Sequence, residues 1–481
     1  MDTKFSRARQ RKDKNFDGNF FFGVKTTGIF CRPSCPAPTA KEENVEYFDT
    51  IFAALEKGFR PCLRCRPDIE IDYYNGNANG TSVVDTALKN IFDGYLNDHT
   101  LAELAADLMI SERHLRKLFV DNLGVPPIKI ARYHKTLFAK KLLISSNKPV
   151  TDIAFASGFN SIKQFNEAFK ATFGKTPTEA RNLSQQAHIQ DNTTLLLRYS
   201  PPFDFKQILT FLRIRAIEGV ELVTHTSYSR TFRTRNTRGY FTVCDHPAQS
   251  ALALSIVCDD IKCFMQIHNQ VRRMFDLDTD FSDINKRFIN DPLLSKGMDN
   301  SHVPRLPVAF DPFEFIIRAI LGQQITVKAA TTLAGRIAKR SNLQTDDSFP
   351  HGLHFFFPQP KEFMTMNLDK LGITKTRQQT LQTAIQAVID KKISLSPNQS
   401  LETFNQQFSA LKGIGPWTVN YVGMRGLGII DSFPASDLGI IKAMMLDDKK
   451  PTVHNILKQS EKWRPYRAYA ALCLWNSSKE K

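Results

Sequence analysis

Apolar positions recur at helical spacing through much of this chain, and the period changes from one stretch to the next. Between residues 83 and 184 it is helical. Leu101, Leu104, Ala105 and Leu108 fall on one face, with Thr100 placed to cap the helix that carries them. Ser111 is placed to cap a second helix, apolar at Leu115, Leu118 and Phe119 and basic at Arg113, His114, Arg116 and Lys117. The short pair then returns: Ile153 and Ala154, a turn at Gly158, and a helix opened by Ser161 with Phe165 and Phe169 on its apolar face. Two short amphipathic helices joined tightly, the second basic, make a helix-turn-helix candidate, and here the unit occurs twice.

From residue 195 to 275 the signals are mixed. Residues 205–216 and 263–275 read as helices. VELVT, residues 229–234, residues 240–243 and LALSIV read as strands, with Asn236-Thr237-Arg238-Gly239 as a hairpin turn. This predicts a small antiparallel sheet with helices and no motif that carries chemistry. The remaining chain is mostly helical. Residues 73–82 (YYNGNANGTS) and 184–194 (SQQAHIQDNTT) lack periodicity and read as linkers.

Composition adds a partner. Lys and Arg outnumber Asp and Glu by 64 to 48, a formal charge of +16, so a polyanion is expected. At 42% hydrophobic and 23% charged residues the chain is not mostly disordered. No apolar run approaches the roughly 18–20 residues that span a bilayer. The opening MDTKFSRARQRKDKN lacks the apolar stretch of a secretory signal. The expectation is a soluble, cytoplasmic, nucleoid-associated protein.

Four of the eight cysteines fall in two close pairs, Cys31-x3-Cys35 and Cys62-x2-Cys65. Zinc takes four tetrahedral ligands, and each short loop presents two thiolates to one ion. A zinc hydrolase would need an open coordination position, which four cysteines do not leave. Cys244, Cys258, Cys263 and Cys473 are expected in the core, as small hydrophobes.

The flanks of these cysteines, TTGIFCRPSC and GFRPCLRC, resemble the N-terminal domain of Ada-type DNA alkylation-response proteins. The resemblance implies that Cys31 is both a zinc ligand and the acceptor of a methyl group from a DNA methylphosphotriester. Phe30 stands where that family more often has tyrosine. Zinc keeps a thiol deprotonated, and methylation would turn one thiolate into a neutral thioether. The loss of a negative charge facing DNA is expected to tighten DNA binding. Arg32, Arg60, Arg64 and Arg66 flank the thiols and have two readings, as phosphate contacts or as neutralising charges. The second helical pair, DIAFASGFNSIKQFNEAFKATFGKTPTEAR, is similar to the signature of AraC-type regulators, a resemblance that covers residues 85–183. It implies two such units joined by a long helix over about Pro127–Ser145, with Arg113, His114, Arg116, Lys117, Ser161, Lys163 and Gln164 reaching bases or phosphates in successive major grooves. For each of them plain solvation of a helix face is the alternative.

The sharpest signal in the second half is LKGIGPWTVNYVGMRG. Gly413 and Gly415 allow a tight turn between helices whose backbone N–H groups can cradle a phosphate. With SPPFDFKQILTFLRIRA, RAILGQQITVKAA, FPASDLGI and EKWRPYRAYAALCLW, it resembles the helix-hairpin-helix DNA glycosylases, the AlkA-type 3-methyladenine enzymes in particular. By motif position, Asp437 matches their essential aspartate, and Trp417, Tyr421 and Trp475 match aromatics of the base pocket. A 3- or 7-methylated purine is cationic and departs neutral, so the enzyme need not protonate it. It must flip the base out, stack it on electron-rich rings and stabilise a cationic sugar with a carboxylate.

Asp437 is also placed to cap the following helix, and Asp431 is the alternative acid. Gln324 stands where this family inserts a wedge into the vacated stack, or is a helix surface residue. Trp463 is expected in the core. Trp417 occupies the place where strand-cleaving relatives carry a lysine, so hydrolysis without a Schiff base is expected. The four-cysteine iron–sulfur loop of some relatives is absent, since Cys473 is the lone cysteine there. No Pro-Cys-His-Arg motif of O-6-methylguanine methyltransferases occurs.

The expected architecture is multidomain, mostly α with α+β parts. It comprises a small zinc-bound α/β domain (1–75), a double helix-turn-helix domain (83–184), an antiparallel α+β domain (193–276) and an all-α helix-hairpin-helix glycosylase domain (277–481). The expected partner is double-stranded DNA, with RNA polymerase if the protein is an activator, and the expected state is a monomer. A DNA-binding regulator with an inactive glycosylase-like half is the competing function.

Overall fold

The structure is a computed structural model that describes residues 3–62, 64–65, 67, 83–185, 194–234, 237–445 and 449–478. The expected linker at 73–82, most of that at 184–194, Arg66 and Asn236 lie outside the described residues. The chain divides into two compact units, residues 1–195 with 261–266 and residues 196–260 with 267–481. Among the described residues, no helix is long and apolar enough to cross a membrane.

The first unit opens with a helix, Thr3–Arg11, laid on a small sheet. Strands β1 (Phe21–Val24), β2 (Ile29–Cys31), β3 (Val45–Phe48) and β4 (Arg60–Pro61) are ordered β3-β1-β2-β4, with β4 parallel to β2. Helical segments follow, and the caps expected for them form. Thr100 closes a full capping box with Glu103. The hydroxyls of Ser111 and Ser161 accept from the amides of His114 and Gln164. The paired units are Leu101–Asp107 with Glu112–Leu123 and Val150–Ala156 with Ile162–Phe173, joined by Pro127–Ser145.

Phe30, Phe48, Ile51 and Phe52 from the sheet segment share one hydrophobic core with Leu88, Leu104, Leu115, Phe119 and Ile130. Burying each such side chain stabilises by about 1.5–3 kcal/mol. Polar contacts reinforce that junction. The Thr50 hydroxyl donates to the Leu123 carbonyl at 3.1 Å, and Lys129 pairs with Glu56 at 2.5 Å.

In the second unit a five-stranded sheet is ordered β5-β9-β8-β7-β6, with β6 to β9 antiparallel. Its strands are β5 (Thr194–Arg198), β6 (Glu221–Val223), β7 (Ser227–Arg233), β8 (Arg238–His246) and β9 (Ala251–Cys258). The alternation in sequence located the last four but not β5, a short strand just beyond the polar stretch read as a linker. Cys244 on β8 and Cys258 on β9 are half-buried, not core residues as expected. Cys263 and Cys473 are buried. Between sheet and helices lies a buried, charge-balanced network. Arg230 meets Glu314 at 2.6 Å, Arg318 meets Glu221 at 3.2 Å, and the Tyr228 hydroxyl donates to Glu221 at 2.6 Å.

The helical part has two hydrophobic cores. One gathers Ile316, Ile320, Ile337, Leu381, Phe404, Val419 and Val422. The other gathers Met424, Phe433, Ile440, Trp463, Leu472 and Leu474. Helix Pro416–Leu427 contributes to both, and the carboxylate site lies along this seam.

Candidate functional site

The parallel pairing of β2 with β4 sets Phe30 opposite Pro61, which brings Cys31 and Cys62 to adjacent strand ends. The Cys62 amide donates to the Phe30 carbonyl at 3.0 Å. Cys35 and Cys65 follow in turns, and the four sulfur atoms lie within 4.8 Å of one another. All four residues are buried, Cys31 to 5% exposure. Hydrogen bonding from Cys31 holds the Cys35 thiol down at about 2, and the same bond pushes the Cys31 thiol far above its ordinary value. Four thiols this close resist joint ionisation unless a cation balances them, and a tetrahedral four-sulfur set suits zinc.

Arg32 fastens the loop of this centre. Its Nε donates to the Cys65 carbonyl at 2.8 Å, and its guanidinium lies 3.8 Å from Asp17. Arg60 is half-buried, with its guanidinium over Gly174, where an added Cβ would lie 2.0 Å from Nη1. Gly174 has φ +69° and ends helix Ile162–Phe173, so this charge meets the carbonyl end of a helix dipole. Arg64 is exposed.

Arg113, His114, Lys117, Lys163 and Gln164 are all exposed on the second helices of their pairs. Arg116 is exposed too, but pairs with Glu112 one turn earlier at 2.6 Å. The Ser161 oxygen is engaged as a cap.

In the second unit, Gly413 and Gly415 form the predicted turn. Gly413 has φ +89°, and a Cβ there would meet Thr380 Oγ1 at 2.3 Å, so only glycine fits. Gly415 caps helix Pro416–Leu427 with open space beside it. Gln323 Nε2 donates to the Gly413 carbonyl at 3.0 Å and to Thr418 Oγ1 at 3.1 Å, fastening this turn. Sequence reasoning singled out only its neighbour. Gln324 is not on a helix. It is exposed in the turn between Pro312–Leu321 and Val327–Ser341, with φ +59°.

Asp437 caps helix Leu438–Ala443, accepting from the Gly439 amide at 2.9 Å. The same carboxylate accepts from Trp417 Nε1 at 2.9 Å and from Trp475 Nε1 at 2.7 Å. Capping and facing the aromatics are thus one arrangement. Trp417 stacks on Tyr421, centroids 4.8 Å apart and 14° from parallel, and Phe315 lies 5.4 Å beyond. All three donors to Asp437 are neutral, and among the described residues it has no ion-pair partner. Asp431 is otherwise. Both Arg464 and Arg467 pair with it, Arg467 Nε at 2.8 Å, which fixes the chain and leaves Asp431 no free charge. Trp463 is in the core, donating to Asp291 at 2.8 Å.

The structure adds Arg425, which sequence reasoning missed. It is buried, with its guanidinium 5.5 Å from the Trp475 ring centroid and 4.4 Å from that of Phe211. Burial pushes it down to about 10. Its i, i+4 spacing after Trp417 and Tyr421 was the available signal, since the three share one helix face.

Three family models match the chain: the metal binding domain of Ada at residues 4–68, a helix-turn-helix domain at 104–183 and the AlkA N-terminal domain at 194–311. The chain is 34% identical to a probable bifunctional transcriptional activator/DNA repair enzyme AlkA of Mycobacterium tuberculosis, over 98% of this chain and 95% of that one. It is 28% identical to DNA-3-methyladenine glycosylase 2 of Escherichia coli, over 58% of this chain and 95% of the relative. In fold it is similar to a 3-methyladenine DNA-glycosylase from Archaeoglobus fulgidus, with a TM-score of 0.50 at 16% identity, covering 60% of this chain and 98% of that one. With the metal-binding domain matched across all four cysteines, the thiol cluster is a zinc site. The chain as a whole belongs to the family of bifunctional transcriptional activator/DNA repair enzymes of the AlkA type.

Proposed function

We propose that this protein senses DNA alkylation through its first unit and excises alkylated purines through its second. DNA is the common partner. In the first unit, Cys31 Sγ attacks the methyl carbon of a methylphosphotriester. A sulfur–carbon bond forms, the carbon–oxygen bond breaks, and an ordinary phosphodiester anion departs. Bound zinc keeps its thiol ligands deprotonated. The acceptor is consumed once, and the charge lost from the centre strengthens DNA binding by the exposed helix-turn-helix residues.

In the second unit, a 3-methyladenine-like base is flipped against Trp417, Tyr421 and Trp475. Asp437 stabilises the oxocarbenium-like sugar and orients the attacking water. The N-terminal turn of Pro416–Leu427 holds a phosphate, and Gln324, held out by its backbone, fills the vacated stack. The observation that carries this reading is the Asp437 carboxylate held by three neutral N–H donors beside a stacked aromatic pair. Such donors fix a carboxylate without spending its charge. The protein works as a cytoplasmic, nucleoid-associated monomer that activates transcription with RNA polymerase.

The test is one incubation of the zinc-loaded protein with methylated duplex DNA. A mass gain of one methyl on Cys31 and release of 3-methyladenine, lost in Asp437→Asn, are expected. Methyl uptake with no purine released by the wild type would leave a regulator whose second unit only recognises DNA.

A further inference from the structure

Helix Thr3–Arg11 (TKFSRARQR) carries four cations and no acid, and its two faces do different work. Arg9 is the anchor, 3% exposed. Its Nε donates to the Tyr47 hydroxyl at 3.1 Å, Nη1 to the Ala40 carbonyl at 2.9 Å, and Nη2 to Glu42 at 2.5 Å. Its guanidinium lies 5.5 Å from the ring centroid of Phe22, the residue paired across the sheet with Cys31. Phe5 stacks on Phe20 at 4.3 Å and completes the docked face.

The other face is exposed, and on it Lys4 Nζ lies 5.4 Å from the Phe16 ring centroid. Lys4, Arg7 and Arg11, at positions i, i+3 and i+7, line an open cleft of about 230 Å³ with Ala8, Asp13 and Phe16. Arg7 and Arg11 are exposed and have no ion-pair partner among the described residues. Among the described residues Asp13 is the cleft's one acid, and its carboxylate is engaged by the Asn15 amide at 3.0 Å. Arg7 and Arg11 against that acid leave a net positive recess. It stands beside the acceptor loop. Lys12, next after the helix, donates to the Pro36 carbonyl at 3.3 Å, and Asp17 accepts from the Ser34 amide at 3.0 Å. Pro36 and Ser34 flank Cys35.

We infer that this cleft is a phosphate clamp, holding backbone phosphates of the DNA strand whose methylphosphotriester is presented to Cys31. The ligand is DNA backbone, because the recess is cationic, has room for a phosphate and shares its edge with the loop that takes the methyl. Clamping the strand there raises the effective concentration of the triester at the buried sulfur. The inference rests on the proposed methyl transfer for its purpose, but not for its measurement.

The experiment uses the full zinc-loaded chain and the double variant Arg7→Gln with Arg11→Gln, both exposed positions on a helix that glutamine suits. Binding to an unmethylated duplex of unrelated sequence is titrated from about 50 to about 200 mM salt. Two lost phosphate contacts lower the slope of log affinity against log salt by about 2, so the variant's affinity falls roughly tenfold less over that range. Methyl uptake from a duplex with one methylphosphotriester slows at low salt and converges with wild type at high salt. Asp13→Asn, which keeps the amide-capping oxygen, binds ~3-fold tighter at low salt. Zinc content and purine release stay unchanged.

An unchanged slope and unchanged methyl uptake in a variant with full zinc content overturn the clamp and leave the face to an acidic protein partner. A lowered slope in a protein whose wild type takes up no methyl keeps the clamp and overturns the methyl transfer instead.

Discussion

The two atoms we propose as reactive are held in opposite ways. Cys31 ends a strand and is a member of a closed four-sulfur cluster, fixed by the pairing of β2 with β4 and by the clasp of Arg32 on Cys65. Asp437 begins a helix and belongs to no cluster. Two indole N–H groups and one amide hold it, all neutral. The proposed fates of the two groups account for the difference. A sulfur used once can double as a structural ligand, because nothing has to be regenerated. A carboxylate that turns over must keep its charge for the sugar, so donors that position it must not neutralise it. Asp431, six residues earlier, makes the contrast within one loop, since its charge is taken up by Arg464 and Arg467.

The largest effects separate the two centres completely. Asp437→Asn is expected to lower the rate of purine release by about 10³-fold or more, the scale of losing a group that stabilises transition-state charge, with methyl uptake intact. The substitution keeps an oxygen for the cap but turns an amide donor toward an indole N–H. Cys31→Ser is expected to abolish methyl uptake and weaken zinc binding while purine release persists. Single-turnover glycosylase rates and intact-mass measurements on both variants check this. Loss of both activities in either variant would mean that the units do not work independently.

A buried acid sharpens the comparison through pH. Asp276 in the second unit accepts from the Leu306 amide at 2.9 Å and from Tyr469, yet burial outweighs these bonds and pushes it up to about 6. A carboxyl raised in the folded state stabilises below its unfolded value near 4 and loses that contribution as pH rises through 6. The loss is on the order of 3 kcal/mol for a shift of this size. Lys135 in the first unit runs in another window. It donates to the Gly158 carbonyl at 2.7 Å, and burial pushes it down to about 8. Its cost is relieved only as pH rises from 8 toward its unfolded value. Unfolding followed between pH 4 and 7 is expected to show a fall in the second unit that Asp276→Asn removes and Lys135→Met leaves in place. Identical pH dependence in wild type and Asp276→Asn would refute the assignment.

The next effect is smaller and tests the two acids directly. Asp431→Asn leaves the buried Arg467 with the exposed Glu461, at 3.2 Å, as its remaining ion pair, and is expected to destabilise the second unit by about 2–3 kcal/mol. The folded protein's purine release per molecule should stay near wild type. Denaturant melts and active-site-normalised rates separate stability from chemistry here, as they do in the reverse sense for Asp437→Asn.

Much of this was legible in sequence because it is local. Caps at Thr100, Ser111 and Ser161 and the turn at Gly413 depend on a few neighbouring residues, and all stand as read, while the 127–145 helix came with the family resemblance and is there too. What sequence did not show depends on distant partners. Nothing around Arg60 announces Gly174, and nothing around Arg32 announces the Cys65 carbonyl. The shared core of the first unit was hidden for the same reason, since Phe30 and Phe52 are read as apolar whichever segment covers them. The alternative of Gln324 as a helix surface residue failed because it rested on glutamine favouring helices, whereas Gln324 lies in a turn at φ +59°.

The smallest expected effect uses the internal repeat of the first unit. The turn of the second helical pair carries Gly158 at φ +80°, where the first pair carries Met109 at φ +57°. A side chain in left-handed backbone costs about 1–2 kcal/mol, so the two turns differ by strain that glycine avoids. At Gly158 an added Cβ would also meet the Asn97 side chain at 2.6 Å, whereas Met109 is 89% exposed and meets little. Gly158→Ala is therefore expected to destabilise the first unit by about 2 kcal/mol. Met109→Gly should change it by less than about 1 kcal/mol, because relieved strain is offset by the added freedom of the unfolded chain. Equal and opposite shifts in the two melts would show that strain alone governs both turns. A larger loss at Gly158 locates the difference in its packing against Asn97, and so in the turn that Lys135 also grips.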